Sequence, residues 1–225
     1  MWHATLRCSR SSFRSCRRAG ERRAGPARSA SCGLLVLGAL VAVPAAWAQG
    51  PSFSCAAVGA DSIEALVCAD EGLSRLDRQL AEVYGAALDR AADERPPVLK
   101  AEQRGWIKGR DDCWKSDDRR RCVEDSYRLR TAELQARYRL VGSSGTVTFT
   151  CNGNAADQVV ATYFDTDPPT LIAERGDQVS LMVREPAGSG AKYQGRNESL
   201  WEHQGEALIR WGYGSAELRC RRQPQ

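Results

Sequence analysis

The hydrophobic period of this chain changes at "VGSSGTVTF", Val141 to Phe149. Before this stretch apolar residues recur every three or four positions; after it they alternate. Helical side chains share a face at a period near 3.6 and strand side chains at a period of 2. One layer of structure cannot serve both patterns. The switch predicts an α+β chain made of two separate domains, a helical bundle over about 51–140 and an antiparallel β-domain over about 145–222.

In the first region Leu73, Leu76, Leu80, Val83, Tyr84, Ala87 and Leu88 mark one helical stripe. Asp70 stands where an N-cap belongs, and Asp61-Ser62 could cap a shorter helix ending near Cys68. "DERPPVLK" (Asp93 to Lys100) interrupts the stripe, and its prolines open a new helix carrying Trp106 and Ile107. "CWKSDDRRRC" (Cys113 to Cys122) reads as a polar connection. Val123, Tyr127, Leu134 and Tyr138 then mark the inner face of a last helix, with Arg119, Arg120 and Arg121 on its solvated side.

In the second region "TVTFTC", "QVVATYF", "TLIAER", "QVSLMV", "AKYQG", "SLWEHQ", "EALIRW" and "AELRC" read as short strands separated by Gly, Asn, Asp and Pro. Strands at roughly ten-residue spacing imply an antiparallel barrel or sandwich. So small a domain has a thin core.

The first 48 residues do not fit either domain. They hold eight arginines against one acid, Glu21, and then the apolar run "GLLVLGALVAVPAAWA" (Gly33 to Ala48). A basic stretch, a short apolar core and a small-x-small end describe a signal peptide over 1–48, cut before Gln49. The run is shorter than the roughly 20 residues that span a bilayer, so no membrane span is expected. No cysteine follows it directly, which argues against a lipid anchor at the cut. The expected location is periplasmic or secreted.

Removing that segment changes the charge argument. Taking eight arginines and one glutamate from 32 basic and 28 acidic side chains leaves 24 and 27, a balance of −3. The basic character of the whole chain belongs to the targeting segment, and a nucleic-acid partner loses its support. A mildly acidic exported protein suits a basic partner.

Six cysteines remain, Cys55, Cys68, Cys113, Cys122, Cys151 and Cys220. An even number in an exported chain reads as a disulfide framework. Cys151 and Cys220 open and close the β-region and are expected to pair; Cys55–Cys68 and Cys113–Cys122 are the favoured local pairs. Without CxxC spacing or nearby histidines, no metal site is expected.

Catalysis finds little to work with. His203 is the only histidine after residue 48, so a nucleophilic triad would have to be built on it. No nucleophile elbow or phosphate-binding glycine loop appears, and no pair of acids stands out. The chain is not expected to be an enzyme or to need a cofactor.

Two family resemblances account for the remaining pattern. The segment Cys151–Cys220 resembles the MliC family, inhibitors of c-type lysozyme. The match runs through "TFTCNG", "YFDTDPPTLIAERGDQVSL", "SGAKY" (Ser189 to Tyr193), "LWEHQGEAL" and "LRC", against family forms S-G-A-[RK]-Y and F-W-x-K-G-x-E-A. Residues 51–140 resemble the N-terminal domain of LprI-type proteins. There the match lies in "PSFSC", "IEALVCAD", "LSRLDRQLAEVY" and "EQRGWIKGRDDC".

The MliC resemblance implies an eight-stranded antiparallel β-barrel that inserts a loop into the lysozyme cleft. Its serine, here Ser189, would approach the catalytic carboxylates, with Gly190, Ala191, Lys192 and Tyr193 shaping the loop. The second block departs from the family. Where the family has tryptophan, one residue, lysine and glycine, this chain has Trp201-Glu202-His203-Gln204-Gly205. The loop is one residue longer and lacks the lysine, so His203 or Gln204 must take its place, or Lys192 must supply the cation. Gln204 brings no charge, whereas histidine as a class gains one at mildly acidic pH.

From residue chemistry alone Ser189-Gly190 is a hairpin turn, Lys192 a solvated strand residue, and Tyr193 and Trp201 barrel-wall residues. The resemblance makes them an inhibitory surface with c-type lysozyme as partner. The alternative is a periplasmic envelope module that binds peptidoglycan or another protein without inhibiting lysozyme. The sequence is also compatible with a homodimer.

Overall fold

The computed structural model describes residues 50–94 and 97–224; the signal peptide expected over 1–48 lies outside the described residues. Among the described residues no helix is long and apolar enough to cross a membrane.

Four helices form the first domain: α1 (Ile63–Ala69), α2 (Glu71–Arg90), α3 (Val98–Asp111) and α4 (Arg119–Arg137). Their starts follow from side chains that can accept from free backbone N–H groups. The Ser62 hydroxyl accepts from the amide of Ala65 at 3.1 Å, the Asp70 carboxylate from Leu73 at 2.9 Å and Asp118 from Arg121 at 3.0 Å. α3 instead follows Pro97, which offers no side-chain cap. Val67, Leu73, Leu80, Leu99, Val123, Tyr127 and Leu134 fill the core, as the apolar stripe requires.

The expected connection at 113–122 is more helical than its composition suggests. Asp112–Lys115 form a 3-10 turn, and α4 already begins at Arg119. Asp118 caps the helix locally, while Arg120 bonds Glu124 one turn on at 2.5 Å and the sequence-distant Asp70 at 2.9 Å. Arg120 is thereby paired in place, and Arg121 lies 3.8 Å from Asp125. Disulfides Cys55–Cys68 and Cys113–Cys122 cross-link the domain, the first tying the chain before α1 to the end of that helix and the second tying the 3-10 turn to the first turn of α4.

A buried polar network runs through this core. Arg110, only 5% exposed, donates to Glu64 at 2.6 Å, to Asp111 at 2.6 Å and to the Tyr127 hydroxyl at 2.9 Å. The Tyr127 hydroxyl donates in turn to Asp77 at 2.9 Å, and the other oxygen of Asp77 accepts from the amide of Ser52 at 2.6 Å. Burial, before any charge, raises the Tyr127 phenol well above its ordinary range, which keeps it a donor. Such a network tolerates no missing partner, because a lone buried charge costs several kcal/mol.

The second domain is a closed eight-stranded antiparallel barrel in which every strand neighbours the next in sequence. Its strands are β1 (Ser143–Cys151), β2 (Asn154–Phe164), β3 (Thr170–Arg175), β4 (Gln178–Glu185), β5 (Ala191–Gln194), β6 (Ser199–His203), β7 (Glu206–Arg210) and β8 (Glu217–Arg222). Val147, Phe149, Val159, Ala161, Leu171, Met182, Leu200 and Ile209 point into it. β8 closes on β1 with Cys151 opposite Cys220, and these two form a disulfide.

The two domains touch along a narrow seam. Ala136 of α4 packs on Phe164 and Ile172, flanked by Val141 and Leu181. The Arg139 guanidinium lies 4.9 Å from the Phe164 ring, and Arg128 pairs with Asp167 in the β2–β3 loop.

The cap on the amide of Leu73, then the Arg120 contact, holds the Asp70 carboxyl below the usual carboxylate range despite partial burial. A lowered folded-state value means the stabilisation is full above the ordinary carboxylate range and is lost as pH falls through the lowered value. Asp70→Ala is expected to cost about 1 kcal/mol at pH 7 and clearly less at pH 2, as read from urea unfolding. The Cys151–Cys220 bond closes a sequence separation of 69 residues, so Cys151→Ser with Cys220→Ser is expected to lower barrel stability by about 4 kcal/mol.

Candidate functional site

The site lies at the barrel end where the β4–β5 loop meets the β6–β7 hairpin. Ser189 and Gly190 end that loop, and both are exposed. Gly190 has φ +69°, a left-handed conformation that favours glycine. A Cβ there would lie 2.1 Å from the Glu202 carbonyl oxygen and 3.2 Å from the His203 Cβ. The turn is therefore pressed directly onto the end of β6, and only glycine permits the approach.

β5 and β6 pair antiparallel with Ala191 opposite Glu202, Lys192 opposite Trp201 and Tyr193 opposite Leu200. Side chains alternate, so Lys192, Trp201 and His203 face outward while Tyr193, Leu200 and Glu202 face the lumen. Trp201, 40% exposed, donates its indole Nε1–H to the Ser189 carbonyl at 2.9 Å. The indole thus fixes the loop from outside while remaining open to a partner. Tyr193 is 5% exposed, and its ring packs edge-on against Tyr163 with centroids 5.7 Å apart. Its part in the site is structural support from within.

The β6–β7 hairpin turns through Gln204 and Gly205 at φ +51° and +81°, with His203 opposite Glu206. Two central residues with positive φ make the turn whose twist suits paired strands. Gly205 meets that requirement freely. It also accepts a hydrogen bond from the Arg222 amide at 2.9 Å. With Gln204 and Gly205 forming the tip, His203 is the last outward residue of β6.

The cations near the tip differ in availability. Lys192 is engaged by Glu185 at 2.8 Å, and Arg221 lies 3.4 Å from Glu206. His203 is exposed beside the Ser189-Gly190 turn. The structure therefore brings Ser189, Gly190, Trp201 and His203 together and places Lys192 beside Trp201 on the outer wall, paired with Glu185. Among the described residues no group of three or more His, Cys, Asp and Glu side chains is placed to hold a metal ion.

Sequence reasoning missed Tyr163, Glu202 and Arg222. The Tyr163 hydroxyl donates to Glu202 at 2.8 Å, and Arg222 lies 3.8 Å from the other Glu202 oxygen. Burial, and then Glu202, pushes the Tyr163 phenol far above its ordinary range, so it remains a donor. One signal was present in the sequence: strand alternation puts a carboxylate, Glu202, at the same inward parity as Leu200.

Comparison with known proteins places the chain in a class. Residues 131–218 match the family described as membrane-bound lysozyme-inhibitor of c-type lysozyme, and residues 55–134 match the family described as lysozyme inhibitor LprI. Lipoprotein LprI of Mycobacterium tuberculosis is 34% identical over 192 residues, spanning 83% of this chain and 94% of its own; that of Mycobacterium bovis matches equally. The chain belongs to the LprI family, with an LprI domain preceding an MliC domain. No solved structure matches.

Gly190→Ala is expected to unseat the loop, since both the left-handed φ and the Glu202 carbonyl oppose a methyl group. Faster hydrogen exchange of the Trp201 indole N–H than in the parent, read by NMR, is the check.

Proposed function

We propose that this chain is an exported, non-catalytic inhibitor of c-type lysozyme. It fills the catalytic cleft with the Ser189–Tyr193 loop while the Trp201–Gly205 segment holds the rim. The observation that carries this reading is the Ser189-Gly190 turn, exposed at the barrel end and held from both sides by the Trp201 indole and the Glu202 backbone. Membership in a family whose two domain models are both described as lysozyme inhibitors supports it.

The physical logic is that of a preorganised plug. A rigid loop loses little conformational freedom on binding, so more of its contact energy appears as affinity. Glycoside hydrolases present paired carboxylates in the cleft, and the Ser189 hydroxyl can donate to one of them. His203 stands beside the turn and offers a ring N–H to the partner in place of a lysine. Lys192, already held by Glu185, contributes less. The acidic balance after residue 48 favours encounter with a basic enzyme.

The test is inhibition of lysozyme-driven cell-wall lysis by the chain from Gln49 onward. Ser189→Ala and His203→Gln are each expected to weaken inhibition about ten-fold, and Lys192→Ala by less than about three-fold. His203→Lys is expected to strengthen it. Equal potency of all four variants with the parent would discard the loop mechanism. Absence of inhibition of any c-type lysozyme would discard the function itself.

A further inference from the structure

At the site end of the barrel the inward positions turn polar. Tyr163, Arg184, Tyr193, Glu202 and Arg222 line a hollow of about 350 Å³ together with Asp165. A carboxylate at an inward barrel position is unfavourable unless it is bonded, and departures from a local folding rule collect where function needs them. Glu202 is such a departure.

Its partner lies on the far wall. Tyr163 belongs to β2 and Glu202 to β6, strands that are not neighbours in the barrel. Their 2.8 Å hydrogen bond therefore crosses the mouth instead of running along the sheet. Arg222 of β8 lies 3.8 Å from the second carboxylate oxygen, and the Tyr193 ring braces Tyr163. The same residue, Glu202, pairs with Ala191 and presents its carbonyl oxygen to Gly190. On the outer side of β2 the next residue, Phe164, packs against Ala136 of α4. A continuous path runs from the helical domain, through β2, to the turn that carries Ser189.

We propose that the Tyr163–Glu202 hydrogen bond is a strut across the barrel mouth that sets the position of the Ser189-Gly190 turn, making both residues positioning residues for the inhibition proposed above. The inference rests on that functional reading for its consequence, but the strut is testable without lysozyme. Glu202 fixes the end of β6 from inside the lumen, Trp201 fixes it from outside, and the turn is held between them.

Tyr163→Phe removes one oxygen and keeps the ring packing; Glu202→Gln keeps the size and removes the charge. In the chain from Gln49 onward each is expected to raise the inhibition constant about ten-fold, the scale of one hydrogen bond to a charged group. The melting temperature is expected to shift by only a few degrees. The double variant should be no worse than the poorer single one. In a Tyr163→Phe background the effect of Ser189→Ala should shrink, because a turn already out of place has less contact to lose. Independently, hydrogen exchange of the Trp201 indole N–H should quicken several-fold in both single variants. Unchanged indole exchange would overturn the strut, as would fully multiplicative losses with Ser189→Ala. If the parent chain inhibits no lysozyme, the functional reading falls while the exchange rates still decide the strut.

Discussion

Closure of β8 onto β1 is what the barrel and its site depend on. An open eight-stranded sheet would leave two unpaired edges and a face too small to bury. Closure removes the edges and turns one face into a core. Cys151 and Cys220 sit opposite each other at that junction and are covalently joined. The lumen filled by Phe149, Leu171, Met182, Leu200 and Ile209 is narrow, so this link does much to keep the two ends of the domain together. Only in a closed barrel do β2 and β6 face each other across a mouth, and only then can Tyr163 reach Glu202.

The site is a product of that geometry more than of any reactive group. Ser189, Gly190 and His203 have ordinary chemistry. Their arrangement is set by a left-handed glycine against a carbonyl, an indole against a carbonyl and a two-residue hairpin turn. Each contact is short-range, which suits the cleft-filling role proposed for this surface.

Much of this was legible in the sequence. The switch of period near residue 145 and the alternation after it revealed two domains and eight strands, because side-chain periodicity depends only on local backbone geometry. Asp70 and Ser62 announced their helix starts for the same reason. What could not be read were contacts between distant segments. The Arg110–Tyr127–Asp77 network joins helices α2, α3 and α4, and the Tyr163–Glu202 bond spans 39 residues. Neither leaves a periodic trace. The reading of 113–122 as a connection missed the helical start at Arg119, since its charges look solvated until Asp70 and Glu124 are brought to Arg120.

The seam between the domains has a thermodynamic consequence. Its buried part is Ala136, Phe164 and Ile172, and burying three side chains of this kind contributes only several kcal/mol. Each domain has its own core and its own cross-links. The helical domain carries two disulfides and a buried ionic cluster, and the barrel carries one disulfide and an apolar lumen. Reduction, acid and heat therefore act on the two halves to different degrees. The two halves rest on different interactions, so a single unfolding free energy need not describe both.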